Sequence, residues 1–386
     1  MNISIFRFSL SFYLLLAIFA CSEISFRNSA SFVQKNELKF DTVSLAIVGD
    51  LMCHSQQFQQ AKKDSGYDFR PTFSAVKKYL EKADFTFGNL ETVTAGSAVK
   101  FTGYPMFNSP VEYLDALKDA GFDVLTNANN HSLDRGISGV EKTIYELDKR
   151  NILHTGTARN LAERNTPLIL YKNNTKLGIL AYTYGTNGII IPEGKEFCVN
   201  LIDSLQIKND IEKSKAAGAD AVVVFLHWGI EYERFGNEFQ KILENYIHKN
   251  GALLVLGSHP HVLQPISVPS DNLKSGFTIF SLGNFISAQR KQYTDCGIIL
   301  QLKLIKNLTT GEVSIINAAY IPTYVSKQNG FRILPVFDAI KSIKNGDLLS
   351  ASYTSNIMEQ QRIIEVLEET TKHMNNIAAG FLAKED

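Results

Sequence analysis

The chain has 386 residues, 45% of them hydrophobic and 20% charged, which excludes a disordered polypeptide and leaves room for one large or two ordinary domains. Lysine plus arginine and aspartate plus glutamate number 39 each, so there is no broad basic field to attract nucleic acid, and no nucleic-acid partner is expected. Any anion that the protein handles must be gripped locally.

The N-terminus reads as a targeting segment. Arg7 precedes an apolar run over residues 8–20, the length of a signal-peptide core and too short for a comfortable membrane span. It ends in Leu16-Ala17-Ile18-Phe19-Ala20-Cys21, similar to a bacterial lipobox, in which the cysteine becomes the lipidated N-terminus. An ordinary signal peptide cut near Ala20, or a retained anchor, fits the same residues. The expectation is a signal peptide over 1–21, lipidation at Cys21 and a tether over 22–41, giving a bacterial lipoprotein held to a membrane of the cell envelope. Cys53, Cys198 and Cys296 are widely spaced and odd in number, so they imply small buried residues and no disulfide framework. Cys53 lies beside a candidate site.

Residues 43–48 predict a strand, with Asp50 at its C-terminal end, the rim where α/β sheets bind ligands, although an aspartate there also serves as a turn or cap residue. His54 is either a second ligand or a surface imidazole. The spacing of Phe73, Val76 and Leu80 predicts a helix over 72–82, and a strand over 83–87 then exits into Gly88-Asn89-Leu90-Glu91. Gly96, Gly103, Pro105 and Pro110 mark 94–110 as a loop bordering a cleft. After a helix over 111–120, a strand over 122–126 runs into Asn127-Ala128-Asn129-Asn130-His131. Asparagine offers a neutral carbonyl ligand, and histidine binds metal or carries a proton. The plainer alternative is an Asx-rich turn capping a helix over 137–149.

Residues 168–171 and 177–182, joined through Lys172-Asn173-Asn174-Thr175-Lys176, read as a hairpin, and Tyr182, Tyr184 and Asn187 follow in a loop able to line the cleft. A helix over 205–217 leads to six apolar residues, 221–226, a buried strand that ends at His227 beside the single tryptophan, Trp228. A helix over 237–250 returns to a strand over 252–256 and the stretch Gly257-Ser258-His259-Pro260-His261. Two histidines one residue apart face one point if the backbone is extended, and Pro260 favours that conformation at His259; a pair of loop histidines is the bland reading. Further strands are expected over 277–280, 297–303 and 313–320, and helices beyond Pro335, including one over 357–373.

Five strand exits thus deliver Asp50, Glu91, Asn130 with His131, His227, and His259 with His261. This oxygen and nitrogen set suits Zn, Mn or Fe and lacks the thiolates of a structural zinc knot. So many ligands point to two divalent ions sharing a carboxylate, able to activate water beside a phosphoryl or other tetrahedral centre, with His131 or His261 protonating the leaving group.

The ordered motifs Gly49-Asp50-Leu51-Met52, Asn89-Leu90-Glu91, Asn129-Asn130-His131-Ser132-Leu133-Asp134-Arg135-Gly136, His227-Trp228-Gly229-Ile230-Glu231-Tyr232, Gly257-Ser258-His259-Pro260-His261 and Ser281-Leu282-Gly283-Asn284-Phe285 resemble the CapA family. These are poly-gamma-glutamate capsule biosynthesis proteins within the calcineurin-like metallophosphatase superfamily, and the likeness spans roughly residues 43–290. It implies an α/β fold over 42–330, a metallophosphatase-like four-layer α/β/β/α sandwich with two packed mixed sheets, followed by a helical extension over 331–386. It further implies Asp50 and His261 on one ion, Glu91 as the bridge, Asn130, His227 and His259 on a second, and His131 as general acid, with His54 and Asn89 as further ligands or supports. This chain departs from the superfamily at Met52, where a histidine is usual, and at Glu91, where the bridge is usually aspartate. The implied role is capsule or poly-gamma-glutamate biosynthesis by metal-dependent hydrolysis of an anionic polymer or phosphoester, with the capsule synthesis machinery as partner. A non-catalytic binding or export module for an anionic polymer and a general exported phosphoesterase are the alternatives.

Overall fold

Alternation along the strand β1 (Phe40–Leu51) sets the layering of the protein: Val43, Leu45 and Ile47 enter one core and Ala46 and Val48 another, because successive strand residues point to opposite faces. The structure, a computed structural model, describes residues 39–268, 276–344 and 356–374. The expected signal peptide, Cys21 and residues 22–38 of the tether lie outside the described residues. No helix of the described residues is long and apolar enough to cross a membrane.

On one side of β1, the strands β2 (Phe85–Leu90), β3 (Val124–Thr126) and β4 (Leu153–Thr155) follow in parallel. On its other side β12 (Cys296–Asn307), β13 (Val313–Ser326) and β14 (Arg332–Pro335) run antiparallel, and the short β11 (Asn284–Ile286) pairs with the end of β1. A second sheet orders β5 (Leu168–Lys172), β6 (Thr175–Thr183), β7 (Ala221–His227), β8 (Leu254–Ser258), β10 (Phe277–Leu282) and β9 (Leu263–Ser267). Its centre is parallel and both edges are antiparallel. The expected run 221–226 is buried on both faces, with Val223 and Phe225 between the sheets and Val222, Val224 and Leu226 beneath helices.

Leu45, Ile47, Phe87, Phe225, Leu256, Ile279 and Leu300 belong to the core between the two sheets. The helix Glu112–Asp119 covers the outer face of the first sheet through Leu114 and Leu117, and the helices Ser204–Ala216 and Glu238–Lys249 cover the second through Ile207, Ile211, Leu243 and Ile247. The result is the expected four-layer α/β/β/α sandwich with two mixed sheets.

Some elements differ from their expected form. The helix over 72–82 is two short turns, Arg70–Phe73 and Lys77–Leu80, because Pro71 starts the first and the Ser74 hydroxyl donates to the Pro71 carbonyl at 3.0 Å, competing with the backbone ladder. The segment after 331 opens with β14 before the helices Val336–Lys344 and Ile357–Met374. β9 carries Pro265 and lies at a sheet edge, where a missing N–H is tolerated.

One irregularity aims the site. Ile47 pairs with Phe87 but Asp50 pairs with Asn89, so β1 holds one residue more than β2 over this stretch. The extra residue is a bulge that reverses side-chain parity, turning Asp50 to the face that Phe87 and Asn89 share. Gly49 occupies the bulge, and a Cβ added there would lie 1.9 Å from the Gly283 carbonyl oxygen. Gly49→Ala is therefore expected to cost about 3 kcal/mol, read as a lowered urea midpoint by circular dichroism. Gly185→Ala, whose Cβ meets nothing within 4 Å, is the comparison and stays within about 0.5 kcal/mol of the parent.

Candidate metal centre

The parallel strands end at one rim, and each end places a polar side chain there. Asp50 closes β1, Glu91 follows β2, Asn130 and His131 follow β3, His227 closes β7, and His259 and His261 follow β8. The turn after β8 is not extended as the proline rule predicts. His259 and His261 have φ of 99° and 58°, left-handed conformations that strain residues with a Cβ. Tertiary bonds override the local preference: Trp228 N–H donates to Ser258 O at 3.1 Å and Tyr232 N–H to Pro260 O at 2.8 Å. The His259 N–H also reaches Asp50 Oδ2 at 3.4 Å. The two imidazoles stand with ring centroids 5.9 Å apart.

Asp50 is buried, and its Oδ1 accepts from Asn89 Nδ2 at 2.8 Å while Oδ2 lies 3.1 Å from His261 Nδ1. His261 Nδ1 is also 3.1 Å from Asn284 Oδ1. His227 is braced by Ser258 Oγ, 3.0 Å from its Nδ1, and its Nε2 lies 3.0 Å from Asn130 Oδ1. Asn130 in turn donates to Asn187 Oδ1 at 3.1 Å. Glu91 is fully buried and neither of its oxygens has a hydrogen-bond partner. The Nε2 atoms of His227 and His261 each lie 3.7 Å from Glu91 Oε1, beyond hydrogen-bond reach. His259 Nδ1 is likewise buried and unpartnered.

Burial pushes the His227 imidazole well below its ordinary range and that of His259 down to about 3, with neighbouring imidazoles adding to both shifts. Both rings are therefore neutral at physiological pH, as metal ligands must be. Burial first, then the charge of Asp50, holds the Glu91 carboxyl well above the usual carboxylate range. Asp50, Glu91 and His261 offer ligand atoms within 4.8 Å of one another, and so do Glu231, His259 and His261. Unsatisfied buried acceptors that converge with neutral imidazoles and two carboxylates fit a divalent cation.

His131 stands beside this cluster. Its Nδ1 lies 2.8 Å from Asp134 Oδ2, and its ring meets Phe107 edge-on at 4.6 Å. His54 is not part of either ligand group: it caps the helix Ser55–Ala61, with Nδ1 3.2 Å from Gln57 Oε1, and packs edge-on against Phe107 at 5.2 Å. Burial lowers its imidazole to about 4. Asn89 supports Asp50, as described. Cys53 lies in the core under the helices, where burial pushes its thiol up to about 12, far from a thiolate. Tyr184 lies 4.5 Å from the His259 ring, whereas Tyr182 packs in the core beneath the helices of the second sheet and donates to Asp210 Oδ2 at 2.9 Å; the two share strand parity and part because β6 ends at Thr183. Asp134, Ser258 and Asn284 received no role from the sequence. Each stands within a quoted motif, and Ser258 is the strand partner of His227 in register.

Fold and site together define a two-sheet α/β protein with a rim of buried imidazoles and carboxylates suited to a divalent cation. The family described as bacterial capsule synthesis protein PGA_cap matches residues 44–289, and the chain belongs to that family. It is 31% identical over 278 residues to the PGA biosynthesis protein CapA of Bacillus subtilis (strain 168), covering 70% of this chain and 70% of that one. It is 27% identical over 297 residues to the capsule biosynthesis protein CapA of Bacillus anthracis, covering 73% of this chain and 70% of the relative. Among solved structures, a putative 5'-nucleotidase from Staphylococcus aureus has a TM-score of 0.48 at 14% identity, covering 85% of this chain and 58% of that chain.

The unpartnered carboxylate yields a test. The Glu91 carboxyl lies above its unfolded value, so its favourable contribution to folding is present below that value, about 4.5, and is lost as pH rises. In chelator-treated protein at pH 8, Glu91→Gln is expected to raise stability by on the order of 3 kcal/mol, an advantage that vanishes in acid. The same variant is expected to lose the stabilisation that added Mn2+ confers on the parent. Differential scanning calorimetry with and without metal reads both effects.

Proposed function

We propose that this chain is a capsule biosynthesis protein of the cell envelope, anchored through a lipid on Cys21, that hydrolyses an anionic polymer or phosphoester at a centre of two divalent ions, Mn, Zn or Fe. The observation that carries the hydrolytic reading is the buried Glu91 with both oxygens unpartnered, facing the Nε2 atoms of His227 and His261. Asp50 and His261 would hold one ion, Asn130, His227 and His259 the other, and Glu91 would reach both. The chemistry that such ions supply is activation of water near neutral pH and neutralisation of charge on a tetrahedral or phosphoryl centre.

The residues of the chain do the remainder. Asn89 and Ser258 fix the orientation of Asp50 and His227 through their hydrogen bonds, so the donors need not reorganise during reaction. Asp134 engages His131 Nδ1, which fixes the ring and leaves Nε2 as the nitrogen to hand a proton to a departing group. Tyr104 and His131 have ring centroids 6.5 Å apart, and Tyr232 and His261 6.2 Å apart, so both tyrosines flank the centre. They also line, with His54, Ser55, Gln56 and Gln289, a cavity of about 370 Å³ able to take part of a polymer. Lys291 lies 3.8 Å over the Tyr232 ring and offers a cation to an anionic chain. The names of the Bacillus relatives make poly-gamma-glutamate the first polymer to try and the capsule synthesis machinery the first partner.

Met52, buried two residues after Asp50, favours a second reading in which the centre grips a polymer without cutting it. Assays of the purified protein on phosphoesters and on γ-glutamyl polymer separate the readings. Under the hydrolytic reading the parent turns over one of these substrates and His131→Ala lowers kcat by roughly 10²–10⁴-fold while keeping its metal. Retention of polymer with no turnover by metal-loaded parent would instead identify the binding module, and turnover of phosphoesters alone the general phosphoesterase.

A further inference from the structure

The loop after β7 brings a further carboxylate, that of Glu231, to the rim. It runs His227-Trp228-Gly229-Ile230-Glu231-Tyr232 and is fastened to the turn after β8 at two points, Trp228 N–H to Ser258 O at 3.1 Å and Tyr232 N–H to Pro260 O at 2.8 Å. Gly229 and Tyr232 take φ of 90° and 70°, which reverses the chain between the two fastenings. The reversal sets the Glu231 carboxylate beside His259 and His261, with ligand atoms of all three within 4.8 Å of one another.

Three features separate this arrangement from a solvated surface glutamate. His259, one of the three, is buried, and its Nδ1 has no hydrogen-bond partner. The set also shares His261 with the inner group of Asp50 and Glu91, so the two sets meet at one imidazole. Finally, Glu231 brings a third carboxylate to a site that already holds the buried carboxylates of Asp50 and Glu91. Placing another carboxylate by such a braced loop is unfavourable unless a cation is shared among them. An inner set of Asp50, Glu91 and His261 supplies three donors, fewer than the four to six that divalent ions of this kind take.

We infer that Glu231 is a metal ligand of this centre, joining His259 and His261 as a mouth-side group of two imidazoles and one carboxylate. The inference rests on the metal reading of the site and adds a ligand that the rim strands do not deliver. Because Glu231 is exposed while Asp50 and Glu91 are buried, it closes the centre on the solvent side.

Calorimetric titration of chelator-stripped protein with Mn2+ and, separately, Zn2+ tests this, comparing parent, Glu231→Gln, Glu231→Asp and Asp50→Ala. Glu231→Gln is expected to weaken binding of at least one ion by roughly tenfold or more, with partial recovery in Glu231→Asp and an unchanged circular dichroism spectrum. Unchanged metal affinity in Glu231→Gln, with binding lost in Asp50→Ala, would overturn the inference and leave the inner site standing. A parent that binds neither metal would overturn both.

Discussion

Glu91 sits just past the end of β2 with both oxygens buried and unpartnered, and an ionised carboxylate taken out of water costs several kcal/mol unless positive charge replaces its lost hydration. The groups around it cannot supply that charge. Burial keeps His227 and His259 neutral, and the charge of Asp50 opposes ionisation of Glu91. The same burial that makes Glu91 unfavourable alone makes the imidazoles good ligands, since a neutral ring keeps one nitrogen lone pair able to coordinate a cation. A shared cation resolves both conditions, and the layout of the rim follows from that requirement.

The fold meets the requirement by departing from regular structure at two places. A bulge at Gly49 turns Asp50 inward, and only a glycine allows the Gly283 carbonyl to approach so closely. The left-handed backbone at His259 and His261 is held by bonds from Trp228, Tyr232 and Asp50, which belong to the neighbouring ends of β7 and β1. Strain of this kind persists where surrounding contacts over-determine it. The sandwich is therefore regular in its interior and irregular at the rim where the chemistry lies.

This division explains what the sequence made legible. The run 221–226 and the alternation over 43–48 announce strands because burial on one or both faces writes hydrophobicity into the chain at fixed spacing. The residues at the strand exits stood out because they are polar where the pattern ends, and the structure brings Asp50, Glu91, Asn130, His227, His259 and His261 to one rim. The left-handed turn at His259-Pro260-His261 was not legible, because the preference of a residue before proline is weak beside three long-range hydrogen bonds. The helix expected over 72–82 failed for a local reason, the Ser74 hydroxyl and Pro71, which apolar spacing does not register. His54, readable as a ligand or a surface imidazole, stands at the start of the helix Ser55–Ala61, where its backbone N–H donates to Gln57 Oε1 at 2.7 Å, and it belongs to neither ligand group.

The central claim is that a cation compensates Glu91. Anomalous diffraction at the metal edge, from crystals of the purified protein grown with Mn2+, addresses it most directly. A peak about 2.0–2.3 Å from a Glu91 oxygen and from an imidazole nitrogen of His227 or His261 is the predicted result. A map with no peak beside Glu91, at full occupancy of those side chains, would contradict the account.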